Sequence, residues 1–380
     1  MIRTLKNDHT IFILFLGVFS TGLSVYRAAD VGIFLLAILI SVLGFFKSTK
    51  LEKFLALIFI FICFLCFSSG YIFESYSNTS AAVRALIYFS IFPGLVLFFK
   101  YVDVNFHFYS VKFLSLYLFI LSVLIATNYA NSDLLQMYNV SYYIGNMYLP
   151  EVVRLLIVVA IVYRLQAPIC IPMLLVCIFF SGSTQTAVIY TLLLYFRLFH
   201  VGKANNKFVY ISLIIVVLYP FVLSFSEPLI TSNHNFYVRM VGIKNAVSLS
   251  VNGNLITPFI GHLSFPELYL FDGDYRNFNH EFMDKQELIG MHNTFIQILF
   301  FFTVFGLSSF MIFMCYTLRS KGDGSSNMNS IRPFFLLTLA ISLSANTSVF
   351  SLRYVIATAL LAGLAASASF TVTNFGKVRG

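Results

Sequence analysis

Long apolar runs separated by short charged breaks organise this chain. Twelve stand out: Ile11–Tyr26, Val31–Phe46, Phe54–Phe73, Ala85–Phe99, Phe113–Asn128, Tyr148–Tyr163, Ala167–Ser181, Thr184–Phe199, Phe208–Phe225, Asn293–Tyr316, Pro333–Ser348 and Tyr354–Phe370. Lipid offers no partner to an unpaired backbone group, so a run that enters it closes its hydrogen bonds as a helix of about 20 residues. The pattern predicts an all-α fold class, a polytopic membrane helical bundle of twelve transmembrane helices, as one integral membrane domain over 1–380. The pair on either side of Gly182 and Ser183 reads either as two spans with a tight turn or as a broken, partly re-entrant unit. Between the runs, Tyr129–Met147 is polar and rich in Tyr and Asn, and Ser226–His292 is larger than any connection requires. Loops of that length without a function are uncommon.

Composition agrees. Only 10% of the residues are charged and 59% are hydrophobic, with a mean hydropathy of +0.87. A water-soluble surface needs about 25% charged residues, so the missing polar surface is expected to face lipid. Trp is absent, which leaves aromatic anchoring at the interface to the 22 Tyr. Arg3 and Lys6 precede the first run with no clean cleavage site, so that run is expected to persist as a signal anchor.

The net charge of +9 is resolved by its distribution. With the amino terminus inside and strict alternation, the inside holds sixteen of the 24 Lys and Arg, among them Lys47, Lys50, Lys53, Lys100 and Arg319. The outside holds the other eight: Arg27, Arg84, Arg154, Arg239, Lys244, Arg276, Lys285 and Arg353. Acids divide four inside and eleven outside, giving +12 inside and −3 outside. The Lys/Arg bias alone orients a membrane protein. It predicts both termini in the cytoplasm and Ser226–His292, between the ninth and tenth spans, on the far side. Positive charge used this way implies no nucleic-acid partner.

The five Cys all fall in apolar runs, so the Cys63-x-x-Cys66 pair reads as small core residues rather than a redox or metal motif. His234, His262, His280 and His292 fall in the long loop, with spacings that match no recurrent ligand pattern. Two ligands of a zinc site commonly sit three to five residues apart, so no metal and no cofactor is expected. Within the loop, Phe236, Met240, Ile243 and Val247 share one face of a predicted helix over Phe236–Val251. That helix presents Arg239 either to a substrate or, snorkelling, to lipid headgroups. In Gly290-Met291-His292-Asn293-Thr294-Phe295-Ile296-Gln297-Ile298, Asn293 or its neighbour caps the following helix, and His292 sits at the start of that helix. His292 is either catalytic or the residue that closes the loop at the interface.

The string H-N-T-F-I-Q-I-L from His292, with Phe305-Gly306-Leu307 behind it, resembles the carboxy-terminal signature of the bacterial O-antigen polymerase and O-antigen ligase superfamily. Val238-Arg239, Ala246-Val247, Pro258 and Gly261 follow that family's order of an Arg, a short helix, a Pro and a Gly. Ser181-Gly182-Ser183-Thr184-Gln185-Thr186-Ala187 is similar to its Ser/Thr-rich span start, with Gln185 where the family often has Arg. The likeness covers residues 150–320 in detail. It implies the helical class C glycosyltransferase fold, a periplasmic loop capping a cavity, and an oligosaccharide on undecaprenyl diphosphate as substrate.

In that reaction a sugar hydroxyl attacks an anomeric carbon and expels the lipid diphosphate. Arg grips phosphate bidentately and stays charged. Arg239 is the first choice for this role and Arg154 the second, since an ionised group inside a span faces a cavity or a partner. Glu151, three residues before Arg154, offers a purely structural pairing. Arg84, Arg353 and Asn293 are further substrate-binding candidates. His292 serves as general base or positions the diphosphate. Arg and helix N-termini can stand in for a divalent ion. Expected partners are the lipid bilayer, the lipid-linked oligosaccharide, a chain-length regulator protein and a flippase, and the expected location is the bacterial inner membrane. The polymerase reading is preferred over the ligase, which moves finished polymer onto lipid A-core. A lipid-linked oligosaccharide flippase or transporter is the alternative of another class, disfavoured because the spans are nearly free of charge.

Overall fold

The computed structural model describes residues 27–73, 80–101, 293–319 and 352–366, with single helical positions at 214, 215, 218, 222, 247, 336, 339, 340, 343 and 344. The runs Ile11–Tyr26, Phe113–Asn128, Tyr148–Tyr163, Ala167–Ser181 and Thr184–Phe199, most of the long loop, and both termini lie outside the described residues. Everything described is helical, and no strand occurs among the described residues. The helices are α1 (Arg27–Lys47), α2 (Lys50–Phe73), α3 (Ser80–Tyr101), α4 (Thr294–Leu318) and α5 (Leu352–Ala366). Each falls on a predicted run, α5 on the part of Tyr354–Phe370 that lies within the described residues. Three described segments are long and apolar enough to cross a membrane: Lys50–Ile72, Val83–Tyr101 and Thr294–Leu318. Large apolar side chains such as Leu57, Phe61 and Phe64 of α2 stay exposed, a surface suited to hydrocarbon.

α3 is the hub and packs on each of the other four helices. All of its residues from Ile91 to Phe99 are buried, as a helix apolar all round requires. Its contact with α1 is a close backbone approach. A Cβ on Gly44 would stand 1.9 Å from the Gly94 carbonyl oxygen, so neither position leaves room for a side chain. The register runs from Ser41 beside Gly94 to Lys47 over the Phe98 ring at 5.3 Å, so α1 and α3 are parallel. α5 is parallel too, with Val355 and Thr358 beside Tyr88 and Phe92, and Gly363 against Phe99. α2 is antiparallel, with Glu52 against Lys100 and Phe59 against Phe89. Lys47, Lys50, Lys53 and Lys100 therefore gather at one end of the bundle. Arg27, Arg84 and Arg353 lie in the opening turns of α1, α3 and α5, at the other end.

α4 departs from the single straight span expected over Asn293–Tyr316. Its dihedrals leave the helical region at Phe302 (φ −126°, ψ 16°) and Thr303 (φ 61°, ψ −173°). The rings of Phe295 and Phe310 lie 6.4 Å apart, whereas a straight helix would separate those positions by about 22 Å. α4 is therefore a V, whose second arm runs parallel to α3 and whose first arm folds back against it. Phe310 fills the angle between the arms, also meeting Phe59 at 5.5 Å and Phe92 at 5.9 Å. A Cβ on Gly306 would stand 2.4 Å from the Cβ of Phe302 and 3.7 Å from Ile298, so a glycine is needed in the crook. The freed backbone groups are met locally. The Thr303 hydroxyl caps the second arm by accepting from the Phe305 N–H at 3.3 Å, and the Cys66 thiol donates to the Phe302 carbonyl at 3.3 Å.

Candidate functional site

At the lysine end, Glu52 is 2% exposed and is matched by donors on every side. Thr49 and Glu52 form a capping box at the start of α2: the Glu52 carboxylate accepts from the Thr49 N–H at 3.1 Å, and the Thr49 hydroxyl accepts from the Glu52 N–H at 3.4 Å. The same carboxylate accepts from Lys100 Nζ at 2.6 Å and from the Tyr101 hydroxyl at 2.5 Å. Lys100 also donates to the Thr317 carbonyl at 2.7 Å, one of the orphan acceptors that end α4. The cluster clamps α2, α3 and α4 together. Its chemistry is that of a fastening, since every charge is already paired.

The other cluster surrounds a small apolar pocket between α3, α4 and α5. It is lined by Tyr88, Phe89 and Phe92 of α3, Thr294 and Phe310 of α4, Val355 and Thr358 of α5, and Leu343. Three of the six residues singled out from sequence stand close in the chain to residues that line it. Arg84 is exposed, one turn before Tyr88 on α3. Asn293 adjoins Thr294, and Arg353 precedes Val355 by two positions. Arg154, Arg239 and His292 lie outside the described residues, as does Glu151.

Asn293 is the helix cap that its sequence context predicts. With φ −150° and ψ 117° it stands just outside α4, and its side-chain oxygen accepts from the Ile296 N–H at 3.0 Å. Its amide nitrogen donates to the Ser344 carbonyl at 3.0 Å. Because α4 folds back, Asn293 sits level with Phe310, within the depth of the bundle, and is fully buried. The residue at the head of α4 is thus carried into the interior.

Sequence reasoning passed over Tyr88, Thr294, Thr358 and Gln297. Each is a single polar residue in an apolar run, a signal shared with many positions that only pack. Thr294 and Gln297 stand inside the string that opens at His292. Among the described residues no group of His, Cys, Asp and Glu is arranged to hold a metal ion. No protein-family model, curated protein or solved structure matches the chain.

Proposed function

We propose that this chain is a membrane glycosyltransferase, an O-antigen polymerase that joins undecaprenyl-diphosphate-linked repeat units on the periplasmic face of the inner membrane. The observation that supports the reading is that Arg84, Asn293 and Arg353 stand within four residues in the chain of Tyr88, Thr294 and Val355, which line one apolar pocket inside the bundle. A lipid-borne diphosphate needs cations at the edge of such a bundle, held beside a chamber that hydrocarbon and sugar can enter. Cationic side chains in this position stabilise the charge that grows on the departing diphosphate. Arg239 and Arg154 complete the anion grip in this account, and His292, adjoining the buried Asn293, takes the proton of the attacking hydroxyl or orients the leaving group. The charge distribution supports the same reading: Arg27, Arg84 and Arg353 belong to the helix ends assigned to the substrate, while Lys47, Lys50, Lys53, Lys100 and Arg319 belong to the end assigned to the cytoplasm.

The test is the lipopolysaccharide ladder of a strain carrying His292→Ala or Arg239→Ala at normal membrane levels. Single repeat units on lipid A-core are expected in both. Long chains in either strain would remove that residue from the mechanism, and bare lipid A-core would reassign the protein to the ligase.

A further inference from the structure

Gln297 lies in the first arm of α4, one turn and roughly 6 Å beyond the Asn293 cap. It is fully buried, and among the described residues neither its carboxamide nitrogen nor its oxygen has a hydrogen-bond partner. A carboxamide can donate two hydrogen bonds and accept two. Leaving all of them unmade in an apolar interior is costly, and an aliphatic residue of the same length would avoid that cost. Its neighbours Ile296, Ile298 and Leu299 are aliphatic. Unmet capacity of this kind marks a group kept for a ligand.

Its position narrows the ligand. Gln297 is three residues from the pocket-lining Thr294 and four from Asn293, so the three share a face of the arm. Each part of α4 is held, the first arm through Asn293 on the Ser344 carbonyl. Lys100 fixes the second arm at the Thr317 carbonyl, and Cys66 holds the bend at the Phe302 carbonyl. Non-helical dihedrals at Phe302 and Thr303 separate the first arm from the second. The diphosphate offers acceptors only and would satisfy half of a carboxamide. Sugar hydroxyl and N-acetyl groups offer donors and acceptors side by side, and satisfy all of it.

We propose that Gln297 binds the sugar of the lipid-linked glycan, its carboxamide engaging hydroxyl or N-acetyl groups. This inference rests on the glycosyltransferase reading and adds to it a sugar subsite within the depth of the bundle.

The test uses the full-length protein in nanodiscs with undecaprenyl-diphosphate-linked oligosaccharide, comparing wild type, Gln297→Met and Gln297→Asn. Gln297→Met keeps the length and removes the amide. It is expected to raise KM for the glycan about tenfold or more while leaving the melting temperature equal or higher. Gln297→Asn, one methylene shorter, is expected to fall between Met and wild type. An active wild type with an unchanged KM in Gln297→Met would overturn this inference and leave the glycosyltransferase reading standing. Should Gln297→Met fail to reach the membrane, a wild-type KM in Gln297→Asn would overturn it instead. A wild type that forms no polymer would overturn both.

Discussion

Lys100 divides its protons between the Glu52 carboxylate at 2.6 Å and the Thr317 carbonyl at 2.7 Å, so one side chain neutralises a buried acid and ends a helix on another element. Replacing only one member of such a pair leaves an uncompensated charge, which is the costly case. Lys100→Met is expected to destabilise the protein by about 3 kcal/mol, towards the low end for buried pairs because Lys100 keeps some solvent contact. Adding Glu52→Gln to it should recover most of the loss. Unfolding in detergent, followed by circular dichroism for the two single variants and the double, measures this coupling. An additive cycle would show that the two groups act independently. Thr49 and Glu52 form a capping box at the local spacing S/T-x-x-E, which the run pattern did not single out. Nor did it show that Lys100, 48 positions later, closes on the same carboxylate.

Among the elements, α4 shows how far local pattern reaches. Its 25 residues satisfy every compositional demand of a span. The bend at Phe302 and Thr303 comes instead from contacts across the fold: Phe310 between the arms, Cys66 on the freed carbonyl, and Gly306 giving the room. Thr303 holds a positive φ that a β-branched residue rarely adopts, a strain of about 1–3 kcal/mol offset by the surrounding packing. The folded-back shape is open to a direct distance test. With Phe295→Cys and Phe310→Cys in a background free of native cysteines, a short bis-maleimide should join the two positions in the folded protein. In a straight helix they would lie about 22 Å apart, out of its reach, so failure to cross-link well-labelled protein would remove the V.

At the scale of the molecule, α1, α3, α5 and the second arm of α4 run one way and α2 runs the other, which are the relative directions that strict alternation gives to these segments. The lysine cluster and the arginine-bearing ends consequently lie on opposite faces of the bundle. The proposed function requires the arginine face to be periplasmic. Lys50→Cys and Arg84→Cys, each in a cysteine-free background, separate the two faces. An impermeant maleimide applied to intact spheroplasts is expected to label Arg84→Cys, and Lys50→Cys only after permeabilisation. The reverse pattern would put the pocket out of reach of a periplasmic glycan.

That the five described segments form helices, that much of their surface is apolar, and that one of them starts at Asn293 or its neighbour were legible in the sequence alone. Run length, residue type and a capping side chain act over a few positions, and lipid permits few backbone solutions. Only the tertiary structure decided that α4 bends, that Asn293 and Gln297 are carried into the interior, and that Tyr88, Thr294 and Val355 line a common pocket. Those outcomes depend on groups distant in sequence competing for the same space and the same hydrogen bonds, and periodicity along a single helix carries no record of that competition.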